Sequence, residues 1–132
     1  MLPVTAIYAG LLAFGFILLT ARTINARRRY GVSLGTPHRM VERAVRAHGN
    51  FAEHVPLTLI LLALCEANGL TAWALHVLGV ALLGARVAHA HGISREPERT
   101  AWRVFGTSLT LTVLGASAAA GLGLAAAEMV GR

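Results

Sequence analysis

Four apolar runs, separated by polar stretches of different character, organise the chain. The first, Leu2 to Ala21, carries no charge over about 20 residues, enough to cross a hydrocarbon core of about 30 Å. With nothing charged before Arg22, it reads as a retained helix rather than a secretory signal peptide. Arg22, Arg27, Arg28 and Arg29 follow, and then Gly31, Gly35 and Pro37, which mark a loop. The second run begins polar and turns wholly apolar from Leu57 to Leu64. Pro56, between the two halves, removes one backbone hydrogen bond and predicts a kink.

Glu66-Ala67-Asn68-Gly69 reads as a tight turn without positive charge, and the third run extends from Leu70 to Ala85. A second polar boundary spans Arg86 to Arg99, with Arg103 beyond it. The last run, Val104 to Ala127, is the longest. Its small residues (Gly106, Gly115, Ala118, Ala119, Gly121, Gly123) suit close helix packing. The pattern predicts an all-α membrane protein: a single domain over 1–132 forming a four-transmembrane-helix bundle, with helices over about 2–27, 38–66, 70–92 and 98–127.

Composition agrees with that reading: 55% hydrophobic and 14% charged is too apolar for an ordinary soluble domain. The cations are all Arg and the acids all Glu, a usage that fits a GC-rich bacterial source. A net charge of +6 raises nucleic acid as a partner. The arginines, however, cluster at the ends of apolar runs and no basic-aromatic module is present, so lipid headgroups explain them better. Eleven of the twelve basic residues flank the first and third connections. The positive-inside rule then puts both connections in the cytoplasm and both termini outside, as expected for a multi-pass protein of a bacterial inner membrane.

Polar groups at membrane depth need a reason to be there. Arg46, Asn50 and Glu53 fall at i, i+4 and i+7 of the second helix, on one face. Arg86 and His89, at i and i+3, share a face of the third. Two outcomes are open. These residues form a helix-end ion-pair network in which Arg46 neutralises Glu53, or they line a basic pocket for an anionic or zwitterionic solute whose partner arrives through the bilayer.

Other chemistries are weaker. His48, His54, His89 and His91 are candidate metal ligands, but His89 and His91 do not share a helix face and the arginines repel a cation, so no metal site is expected. Ser33, Ser94 and Ser108 lie in no nucleophile motif. Cys65 is the single cysteine and sits among apolar residues as an inert thiol. His76 reads as a packed or interfacial histidine. A small multidrug exporter would need a carboxylate in the first helix, which Leu2 to Ala21 lacks.

The motif Arg46-x-x-x-Asn50-x-x-Glu53 with Pro56 resembles the second-helix signature of the MAPEG family, the membrane-associated proteins of eicosanoid and glutathione metabolism. Ala26-Arg27-Arg28-Arg29 is similar to the basic end of that family's first helix, and Arg86-Val87-Ala88-His89 to a third-helix motif. The resemblance covers most of the chain. It implies a homotrimer that binds glutathione as cosubstrate between subunits, held by Arg46, Asn50, Glu53, His54, Arg86 and His89. It implies a transferase or peroxidase acting on a lipophilic small molecule, an electrophile or hydroperoxide, dissolved in the surrounding membrane lipids. Arg28 would approach the reacting centre. The thiol-activating arginine would be Arg99, with Arg95 and Arg103 as the alternatives. His54 stands where the family often has Tyr, and His89, His91 and Ile93 where its eicosanoid enzymes carry tyrosines. Those departures leave a second implication open: a non-catalytic lipid-binding or scaffold protein of the same fold.

Overall fold

A computed structural model of the chain describes residues 1–94 and 96–131. Four helices account for most of it: α1 (Pro3–Arg29), α2 (Arg39–Ala67), α3 (Ala72–Ile93) and α4 (Thr100–Val130). Each is long and apolar enough to cross a membrane. α4 begins slightly later than the hydropathy suggests and continues through the terminal alanines to Val130. α2 runs unbroken through Pro56.

The helices pack in the cyclic order α1, α2, α4, α3, with α2 also touching α3 across the centre. Among the described residues, α1 and α4 do not meet. Leu12, Phe51, Val55, Leu62, Leu75, Leu82 and Val113 fill the interior. The outside is apolar as well: Phe14, Ile17 and Leu18 on α1, Val77, Val80 and Val87 on α3, and Leu111 and Leu122 on α4 are all exposed. Contiguous apolar surface on every side is unstable in water and matches hydrocarbon. The protein is a multi-pass membrane protein.

Turn chemistry fixes where two helices stop. After α1, Gly31 takes φ +63°, Val32 N–H reaches the Arg27 carbonyl at 3.0 Å and Gly31 N–H the Arg28 carbonyl at 3.4 Å. After α2, Gly69 takes φ +86°, with Leu70 N–H on the Cys65 carbonyl (2.9 Å) and Gly69 N–H on Glu66 (3.2 Å). Both are Schellman endings, in which a left-handed residue lets otherwise orphaned carbonyls find donors.

Glu66 has a second task. Its two carboxylate oxygens accept from Val4 N–H (2.9 Å) and Thr5 N–H (2.7 Å), capping α1 from another helix. Nearby, the Tyr8 hydroxyl lies 2.9 Å from His76 Nδ1 and donates to the His76 carbonyl at 3.2 Å, tying α1 to α3. Cys65 is fully buried, its thiol donating to the Ser117 carbonyl at 3.3 Å.

Close approach of α3 and α4 depends on one glycine of the small-residue run. A Cβ on Gly106 would lie 2.5 Å from the Ala85 carbonyl oxygen and 2.5 Å from the His89 nitrogen, both backbone atoms. Gly92 of α3 is packed against the backbone of Arg103 in the same way. Gly115 and Gly123 have nothing within 4 Å of that position, so they serve no helix contact within the chain. Gly106→Ala should therefore force the two helices apart and destabilise by about 1–3 kcal/mol. Gly115→Ala should be neutral or stabilising by up to about 1 kcal/mol. Thermal unfolding of the purified protein in detergent checks the contrast.

Candidate functional site

The arginine-rich end of the bundle is held by cations placed on a helix terminus. Arg22 of α1 donates to both the Ser94 hydroxyl and the Ser94 carbonyl, the latter at 3.0 Å. Arg43 of α2, buried, donates to the Ile93 carbonyl at 3.1 Å. Both therefore cap the C-terminus of α3, where carbonyls lack partners and the helix dipole favours positive charge. Glu98, in the connection to α4, pairs with Arg103 at 2.5 Å and approaches Arg43 at 3.9 Å.

Above this anchored end, α2, α3 and α4 enclose an open cavity of about 450 Å³. α2 lines it with Val45, Arg46, Gly49, Asn50 and Glu53, α3 with His89 and Ile93, and α4 with Arg103 and Thr107. The helical repeat explains α2's contribution: positions 46, 49, 50 and 53 form one stripe. Arg46 and Glu53 do not pair. Among the described residues neither makes an ion pair or a side-chain hydrogen bond, so the ion-pair network the sequence allowed is not formed. Seven residues of helix set their Cα atoms about 10 Å apart along the axis.

Arg86 stands behind the wall, 3% exposed. Its guanidinium donates to Asn50 Oδ1 at 2.9 Å and, at 3.4 Å, to Thr110 Oγ1 and His89 Nδ1. The Phe51 ring lies 5.4 Å from its central carbon, within cation–π range. Arginine can only donate, which settles how its partners are turned. Asn50 offers its amide NH₂ elsewhere, and His89, accepting at Nδ1, carries its proton on Nε2. The cavity wall thus presents two guanidinium cations, amide and imidazole N–H donors, and one carboxylate. Such a set suits a solute with several anionic or carbonyl groups and one ammonium.

Of the residues read from the sequence, Arg46, Asn50, Glu53 and His89 come together on this cavity, with Arg86 touching two of them. His54 turns away: its Nδ1 donates to the Asn50 carbonyl at 2.9 Å within α2. Arg99 is exposed at the N-cap of α4 and does not line the cavity; Arg103, one turn further on, does. Arg28 is exposed on a separate shallow depression with Arg27, Gly31 and Ser33. Arg95 lies outside the described residues. Of the other histidines, His48 stacks on Phe16 with centroids 4.6 Å apart and His91 packs edge-on to Trp102. Sequence reasoning missed Thr107 and Thr110. At i+4 and i+7 from Arg103 they form a polar stripe legible by spacing alone.

The sequence model of the MAPEG family matches residues 5–123. The chain belongs to the MAPEG family. Among curated relatives, "Inner membrane protein YecN" of Escherichia coli strain K12 is 32% identical over 112 residues, covering 84% of each chain. The protein of the same name from E. coli O6:H1 matches to the same extent.

The Arg86–Asn50 bond is the testable joint behind this cavity. Asn50→Leu and Arg86→Met should each destabilise by about 1–3 kcal/mol, since each strands a buried polar partner. The double variant should cost clearly less than the sum. Equilibrium unfolding in detergent, run as a double-mutant cycle, measures the coupling.

Proposed function

We propose that the cavity binds glutathione, or another low-molecular-weight thiol of like charge, and activates it against a lipophilic electrophile or hydroperoxide. The observation that carries this is the unpaired Arg46 and Glu53 on one wall. Uncompensated charges at this depth are costly unless a ligand or a neighbouring subunit meets them. A zwitterionic tripeptide supplies carboxylates for Arg46 and Arg103, an ammonium for Glu53, and peptide carbonyls for the amide of Asn50. Family membership supports the same reading.

The chemistry follows from the cations. A free thiol titrates at about 8.5, and a cation within about 4–6 Å lowers that by about 1–3 units. Arg103, placed on the cavity wall, is the residue we assign to this task in preference to Arg99. The thiolate, its proton having left to solvent, forms a carbon–sulfur bond with an electrophilic carbon, whose π bond opens and takes up a proton from solvent or whose leaving group departs with its electron pair. With a hydroperoxide it attacks the terminal oxygen and the O–O bond breaks; the alkoxide leaves and takes a proton to become the alcohol, and a second thiol reduces the sulfenic acid to a disulfide and water. The exposed face of α2 (Leu57, Ile60, Leu64) is assigned to contact between subunits of a homotrimer. Arg28 and Arg99, outside their own chain's cavity, are then available to an adjoining one. We place the protein in a bacterial inner membrane with the arginine-rich end cytoplasmic and both termini outside.

One observation favours the scaffold reading: Glu98 already occupies Arg103 and offsets part of its charge. Calorimetric titration of the detergent-purified protein with glutathione separates the two. Saturable binding, weakened at least about tenfold in Glu53→Gln and in Arg46→Ala, is expected. No binding at millimolar glutathione would sink the thiol reading. If it binds, thiolate absorbance near 240 nm against pH gives the bound thiol's titration. Arg103→Ala should move that midpoint upward toward about 8.5, cutting the thiolate at pH 7 to a few per cent. Glu98→Gln should move it down.

A further inference from the structure

The connection between α3 and α4 carries two carboxylates, and arginines hold both. Glu96 pairs with Arg39 at 3.0 Å, while Glu98 lies 2.5 Å from Arg103 and 3.9 Å from the buried Arg43. The connection is itself tied down. Arg99 N–H donates to the Gly92 carbonyl at 3.1 Å, closing it, and Gly92 packs directly against the backbone of Arg103. Arg43, which approaches Glu98 from α2, also caps α3 through the Ile93 carbonyl. Glu98 is therefore held in place beside Arg103 as a counter-ion.

Arg46 and Arg103 are the two cations lining the cavity, and Glu53 is its carboxylate. Among the described residues Arg46 and Glu53 make no ion pair, whereas Arg103 does. That pair is partly buried, which limits screening by solvent. It offsets the charge of Arg103 but leaves guanidinium N–H groups beyond the one that meets Glu98. Those donors suit a neutral carbonyl oxygen as well as a carboxylate. One cation and one carboxylate are left for a solute to complete.

We propose, resting on the thiol reading, that Glu98 is a specificity-determining residue. Acting through Arg103, it sets the charges the cavity requires of its thiol at one ammonium and one carboxylate, so that a second carboxylate adds little. Glutathione, with two carboxylates, fits. So does a thiol whose second terminus is an amide or an ester, and the substrate class widens to zwitterionic amino thiols of no net charge.

Titration calorimetry of the full chain in detergent compares glutathione with its monoethyl ester, esterified at the glycyl carboxylate. The wild type is expected to bind the two within about threefold of each other. Glu98→Gln frees the charge of Arg103, so glutathione should tighten at least about threefold while the ester stays as it was. Glu98→Asp, which draws the carboxylate back by one methylene, should shift the ratio the same way by less. It takes the place of Glu98→Gln if that variant fails to fold. A purely structural role for Glu98 would move both ligands together, and that outcome overturns the proposal. So does a wild type that binds the ester more than about threefold weaker than glutathione, or a ratio that neither variant changes; these leave the thiol reading standing. If neither ligand binds the wild type at millimolar concentration, the thiol reading falls and the proposal with it.

Discussion

A guanidinium buried inside a membrane-spanning bundle dictates what must surround it. Arg86 is buried, and its contacts are neutral acceptors or a ring drawn from three helices: Asn50 and Phe51 from α2, His89 from its own helix, Thr110 from α4. None of these residues is free to point elsewhere while Arg86 stays in place, because each supplies part of the solvation that water would have given. The orientation of Asn50 and His89 on the cavity wall is thus a by-product of solvating Arg86. Binding geometry and bundle stability rest on the same few bonds.

That arrangement requires α3 and α4 to lie unusually near each other at this level. Thr110 reaches Arg86 only because Gly106, one turn away, lets the α4 backbone come against Ala85 and His89. Thr110 also bonds the Gly106 carbonyl at 2.7 Å, which fixes its hydroxyl within α4. Gly92 repeats the device a turn further on, bringing Arg103 beside Ile93 and the capped end of α3. A side chain at either glycine would widen the bundle where the cavity forms. The remaining glycines of α4 carry no such constraint within the chain.

How much was legible beforehand follows from which signals are local. Hydropathy located the four spans because helix length in a bilayer is set by a single thickness. The stripe of Arg46, Asn50 and Glu53 was legible because helical spacing alone puts residues on one face. The partner of each polar group was not, since pairing depends on crossing angles that the sequence does not display. Arg46 and Glu53, natural partners by spacing, remain apart, while Arg43 joins α3 across the bundle. The choice between Arg99 and Arg103 turned on where α4 starts, and element ends are the least certain feature of a sequence reading. Thr100 as first helical residue turns Arg103 inward and leaves Arg99 as an exposed cap.

The two ends of the bundle differ in a way that bears on function. At the end carrying Glu66, its carboxylate takes two backbone donors of α1, Tyr8 and His76 bond to each other, and Asn68 returns to the Leu64 carbonyl at 2.7 Å. These groups satisfy one another inside the chain and ask nothing of a ligand. At the opposite end, among the described residues, Arg46, Glu53 and the Nε of Arg86 are left without partners. Two unpaired charges on a cavity cost stability unless a ligand or a neighbouring subunit meets them. That cost is the ground on which this cavity, rather than the Glu66 end, is proposed as the binding site.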